Sequence, residues 1–109
     1  LLFNVRITNF EVFLYQLLDM EVAMWCTYLE RPDEEIMHFG ILVPPKLNNP
    51  AVIHLFGQEY LDKKKQNLML NKSYCKFCHV GEASPEVQKE IEQKGYYILE
   101  LGHCNFKPK

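Results

Sequence analysis

The chain has 109 residues, 48% hydrophobic and 24% charged, with a formal charge of −2. That length fits one domain rather than two, and the composition excludes a chain disordered throughout. The charge gives no general attraction to nucleic acid or an anionic membrane, and no apolar run approaches the ~20 residues a membrane helix needs.

Residues 1–19 carry two patterns. Phe3, Val5 and Ile7 alternate as in a strand, whereas Phe10, Phe13, Leu14, Leu17 and Leu18 recur as on a helix face. Two accounts fit: an N-terminal extension packing on the domain, or sequence upstream of a natural start at Met20. The segment lacks the unbroken apolar centre and small-residue cleavage site of a secretory signal, so the cytoplasm is the expected location.

Residues 20–109 read as a single α+β domain. Val22 to Leu29 is rich in β-branched and aromatic types and predicts a strand. Arg31-Pro32-Asp33-Glu34 is a turn signal, and Ile36 to Val43 predicts the second strand of a hairpin. Alternation puts Met37, Phe39, Ile41 and Val43 on one face and His38, Gly40 and Leu42 on the other. Pro44 and Pro45 end the strand, because proline cannot donate to a ladder.

Asn49-Pro50 is a cap followed by proline at the first helical position, predicting a helix to about Lys64. Gly57 inside it permits a close approach to the sheet. The basic run at its end, Lys63-Lys64-Lys65, complements the helix dipole. Leu68-Met69-Leu70 predicts a short third strand. Ser84-Pro85 repeats the cap, Val87 and Ile91 define a buried stripe, and Lys94-Gly95 stops the second helix. Tyr96 to Leu101 predicts the last strand. The order β-β-α-β-α-β implies a small mixed or antiparallel sheet with two helices on one face.

The chemistry concentrates in Cys75-Lys76-Phe77-Cys78-His79. Two cysteines with two residues between them present both sulfurs to one metal, and zinc takes four such ligands tetrahedrally. Cys104, after the last strand, is the expected third ligand. His79, His38 and His103 are the histidine candidates for the fourth position. Zinc is therefore the expected cofactor, in a structural, binding or regulatory role.

Other readings compete. The spacing also fits c-type haem attachment, but that chemistry needs export. A thioredoxin-like pair needs its first cysteine at a helix N-terminus, and here the helix starts only at Ser84. A simple dithiol switch stays open, as does plain burial of the thiols, the reading given to Cys26 in the first strand. An enzyme would use Cys78 with His79 or His38. A protein partner or a second copy of the chain is the open class of partner.

Several motifs recur in order: Thr27-Tyr28, Met37-His38-Phe39 with Ile41-Leu42-Val43-Pro44, Cys75-x-Phe77-Cys78-His79, Ser84-Pro85-Glu86, Lys94-Gly95-Tyr96-Tyr97-Ile98, and Cys104-Asn105. With these, residues 20–105 resemble a small bacterial family of uncharacterised proteins, a domain of unknown function. The resemblance implies a compact α+β domain and groups His38, Cys75, Cys78, His79 and Cys104 as its polar pattern. It brings no activity with it. Two departures stand out: Cys26 and Gly40 occupy positions where the family usually carries Asp. His103 stands where glycine is usual, which ranks it below His79 and His38 as a ligand. Residues 1–19 lie outside the resemblance, which favours Met20 as the start.

Overall fold

The computed structural model describes residues 20–64, 68–70 and 74–104, so the expectations for residues 1–19 and Asn105 lie outside the described residues. The elements are β1 (Met20–Glu30), β2 (Ile36–Val43), α1 (Pro50–Lys63), β3 (Cys75–Ala83), α2 (Pro85–Lys94) and β4 (Tyr97–Gly102). The fold is α+β in the expected order. Its four strands form one antiparallel sheet in the order β3-β1-β2-β4.

The β1–β2 hairpin runs in unbroken register from Ala23↔Val43 to Glu30↔Ile36. Its turn closes through Arg31 N–H to Glu35 O (2.8 Å) and Glu34 N–H to Arg31 O (2.9 Å). The predicted alternation holds. Met37, Phe39, Ile41 and Val43 are each fully buried and form the centre of the core with Ala23, Trp25 and Leu29.

Both helices start at the caps the sequence marks. The Asn49 side chain accepts from Ala51 N–H (3.0 Å), and the Ser84 hydroxyl oxygen accepts from Val87 N–H (3.3 Å). Gly95 closes α2 at φ 93°, a left-handed conformation that glycine adopts without Cβ strain. Gly57 has the packing role foreseen for it. A Cβ there would sit 3.0 Å from Ile41 Cδ1 and 3.1 Å from a Leu70 methyl, so the missing side chain lets α1 lie close on β2.

Three expectations need correction. The third strand is Cys75–Ala83, not Leu68–Leu70. Residues 68–70 instead run beside α1, where the Gln58 side chain donates to Leu68 O and accepts from Leu70 N–H, both at 2.9 Å. One amide side chain thus replaces a strand partner. The last strand begins one residue later than expected, because Tyr96 is buried with its ring stacked on Phe56 (4.5 Å between centroids). Finally, the helices do not share a face. Ile53 and Leu61 of α1 join the Met37–Val43 row, whereas Ile91 and Val87 of α2 pack with Val22, Met24, Leu42 and Tyr97. Those sheet residues alternate to the opposite side.

Candidate functional site

Among the described residues, α2 covers only one end of its face of the sheet. The rest presents Met24, Cys26 and Tyr28 of β1 beside Leu42, Gly40 and His38 of β2, paired as Met24↔Leu42, Cys26↔Gly40 and Tyr28↔His38. Tyr28, Leu99 and Leu101 are exposed there. Tyr28 and His38 stack nearly parallel with centroids 4.1 Å apart. His38 Nε2 is buried without a hydrogen-bond partner among the described residues, and burial lowers the pKa of the ring.

The five residues expected to form one site are divided between the two faces and the two edges of the sheet. Cys75 opens β3 opposite Thr27 on the α1 side, where it is buried and accepts from the Thr27 hydroxyl at 3.3 Å. Burial pushes its thiol pKa up, and the Thr27 hydroxyl offsets this only in part. Cys104 follows β4 at the other edge. It too is buried, with its sulfur 3.2 Å from His38 O and 3.4 Å from Gly102 O. The strand order separates β3 from β4 by three spacings, about 14 Å. A common zinc would need these sulfurs within about 4 Å of each other, given ligand distances of about 2.3 Å. His79 is exposed on β3 opposite Met24. Among the described residues no group of three or more His, Cys, Asp or Glu side chains is arranged to hold a metal ion.

Cys78 has a different partner. It is disulfide-bonded to Cys26 of β1, 52 residues away, with Cα atoms 5.8 Å apart. The local cause is an irregularity in the ladder. β1 pairs Met24↔His79 and then Trp25↔Phe77, so Cys78 is the extra residue of a β-bulge. A bulge breaks strict alternation and re-aims a side chain. Phe77 stays exposed on the Trp25 side, its ring edge-on to Trp25 at 6.1 Å, while Cys78 meets Cys26 on the opposite face. Cys26, expected only to be buried, is half-buried and bonded; Cys78 is exposed. Cys26 is the bonded residue that the Cys-x-x-Cys motif does not include. Its parity with Met24 and Tyr28 on β1 is the signal for its face.

Gly40 completes this patch. A Cβ on Gly40, directly across from Cys26, would lie 2.8 Å from Met24 Sδ and 3.0 Å from its Cγ. The Met24 thioether therefore lies over Gly40 of β2, on the same face as the disulfide but on the other side of β1 from Cys78. Sulfur from three side chains thus lies on one face of the sheet.

A separate polar group ties α1 to β4. Tyr60 donates to Glu100, and Lys64 Nζ lies 2.7 Å from the same carboxylate oxygen. Burial would raise the Glu100 pKa, but hydrogen bonds from Lys64 and Tyr60, with the Lys64 charge, hold it below the ordinary value of 4.5. A depressed carboxylate contributes stability that is present above its unfolded pKa and lost as pH falls through its folded one. Wild-type protein should therefore lose stability below about pH 4.5, and Glu100→Gln should flatten that loss. Urea unfolding between about pH 3 and about pH 7 checks it. Parallel pH profiles for the two proteins would remove Glu100 from the acid response.

Comparison with known proteins agrees with the fold. Residues 20–101 match the family described as Domain of unknown function (DUF2024). The NMR structure of protein NE1680 from Nitrosomonas europaea is similar, with 26% identity and a TM-score of 0.68, over 79% of this chain and 100% of that one. No curated protein matches the sequence significantly. Among the described residues no helix is long and apolar enough to cross a membrane.

Proposed function

Because the chain belongs to the family Domain of unknown function (DUF2024), which brings no activity to transfer, we propose a function from the site itself: a thiol-responsive binding or regulatory module switched by the Cys26–Cys78 bond. The observation that carries this reading is the cross-strand disulfide on a part of the sheet that no described helix covers, with Cys78 exposed.

An exposed disulfide is open to attack by a thiolate, whereas buried structural bonds resist it. A thiolate of a small thiol or a protein dithiol attacks one sulfur, the S–S bond breaks, and the other cysteine leaves as thiolate. A second reductant thiol resolves the mixed disulfide. Two thiols on the module are gained for one disulfide formed on the reductant. In a reducing compartment such bonds are transient and sensing rather than structural. Opening it releases the clamp between edge strand β3 and β1, and so alters the sheet surface around Lys76, Cys78 and His79. The zinc staple expected of Cys75, Cys78 and Cys104 would need three distant sulfurs to meet; the dithiol reading uses two already joined. As an enzyme nucleophile, Cys78 would first have to leave this bond.

Alkylation under denaturing conditions with mass spectrometry tests the reading. Air-exposed, unreduced protein should label at two cysteines, Cys75 and Cys104, and yield a peptide crosslinked through Cys26 and Cys78. After dithiothreitol all four should label. Four labelled cysteines without reductant would overturn it.

A further inference from the structure

We propose that the reduced form of this pair is a copper(I) site, in which the Cys26 and Cys78 thiolates and the Met24 thioether are the ligands. The inference rests on the reading that the Cys26–Cys78 bond opens, and it names what the opened site takes.

The geometry puts the three sulfur donors on one face of the sheet, within two residues of Cys26 along β1 or directly bonded to it. Cys26 and Cys78 face each other across β1 and β3 with Cα atoms 5.8 Å apart, so reduction leaves two thiols that need only small rotations to grip one ion. The bulge puts Cys78 on this face, while Phe77 is committed to Trp25 on the other. Met24 is two residues from Cys26 on the same face of β1, and its sulfur lies over Gly40, the residue directly across from Cys26. Gly40 makes that placement possible, since any Cβ there would collide with the thioether. Cys78 is exposed and gives an ion access, whereas Met24 is partly buried against the α2 cluster and held in position.

The donor chemistry selects the metal. Thiolate and thioether sulfurs are soft ligands and favour copper(I); hard cations want oxygen. Zinc would look for a fourth ligand of nitrogen, oxygen or sulfur. The neighbouring rows, Tyr28, His38, Leu42, Tyr97 and Leu99, offer no carboxylate, and the His38 ring is stacked on Tyr28; His79, opposite Met24, is the nitrogen donor that a zinc site would recruit and a copper(I) site would not need. Cys75 and Cys104 are buried elsewhere and do not compete. The step balances without change at the metal: two thiols and one copper(I) ion give a dithiolate complex and release two protons. The electrons that open the disulfide come from the thiol reductant, which ends as its own disulfide.

The test uses the whole chain, reduced and kept anaerobic, titrated with copper(I) in competition with the chromophoric chelator bicinchoninate. Thiol counting by alkylation is run on the same sample, and circular dichroism checks the fold of each variant. Reduced protein should bind one copper(I) per chain and oxidised protein none. Cys78→Ser should abolish binding and Cys75→Ser should leave it intact. Met24→Leu, which keeps the side-chain volume, should weaken it at least about tenfold. His79→Ala should leave it unchanged. Four countable thiols with no copper uptake would sink the copper site alone; fewer than four after reduction would sink the disulfide reading beneath it. Full affinity in Met24→Leu with loss in His79→Ala would overturn the thioether assignment.

Discussion

Phe39→Ala is expected to cost about 3–5 kcal/mol of unfolding free energy. Phe39 lies mid-strand in β2, between Thr27 of β1 and Glu100 of β4, and is fully buried. Its ring meets Tyr60 of α1 at 4.8 Å between centroids. Truncation removes this ring contact between sheet and helix and leaves a cavity in the core. A domain of this size has roughly 5–13 kcal/mol in total, so the variant should be close to unfolding at ambient temperature. Phe39→Leu, which retains most of the volume, should lose much less. Urea unfolding of both variants decides the matter. A loss below about 1 kcal/mol for the alanine variant would mean that Phe39 is not at the centre of the core.

Breaking the Cys26–Cys78 bond should have a comparable effect by a different route. The bond closes a loop with a sequence separation of 52. Releasing it returns chain entropy to the unfolded state worth about 4 kcal/mol on the loop-closure model. At about 4–8 °C per kcal/mol for a domain of this size, the melting temperature should fall by roughly 15–30 °C. Reduced wild type and the Cys26→Ser/Cys78→Ser double variant should melt together, well below the oxidised protein. The loss should be uneven. β3 is an edge strand whose residues 76–80 are all exposed, so its amides should exchange faster while the β1–β2 hairpin keeps its protection. Identical melting of oxidised and reduced protein would show that the bond restrains nothing. Because the core of β1, β2 and α1 does not depend on the bond, the reduced chain should stay folded, as a reversible switch requires.

These two effects differ in how far they can be read from the sequence. Phe39 belongs to an alternation with Met37, Ile41 and Val43 that is visible in eight consecutive residues. The bond depends on a register that no local pattern reveals. Four cysteines allow about six choices of a single bond, and spacing alone draws attention to Cys75 with Cys78 rather than Cys26 with Cys78. The bulge also hid β3 itself. One extra residue breaks the period of two, and an edge strand with few buried side chains shows little apolar alternation to begin with. Leu68-Met69-Leu70 drew the strand assignment because it is apolar, yet its backbone is satisfied by Gln58.

The sequence by itself determined the α+β class, the element order, the hairpin and the faces of β2, together with both helix starts and the glycine stop of α2. All of these follow from contacts within a few residues: caps, turns and periodicity. Tertiary structure alone decided the strand order, which keeps Cys75 and Cys104 at opposite edges, and the placing of α1 and α2 against different faces. It also decided the partner of Cys78, through a one-residue slip between β1 and β3. Long-range register costs chain entropy that only the assembled core repays, so it is chosen by the fold as a whole and not by the residues beside each cysteine.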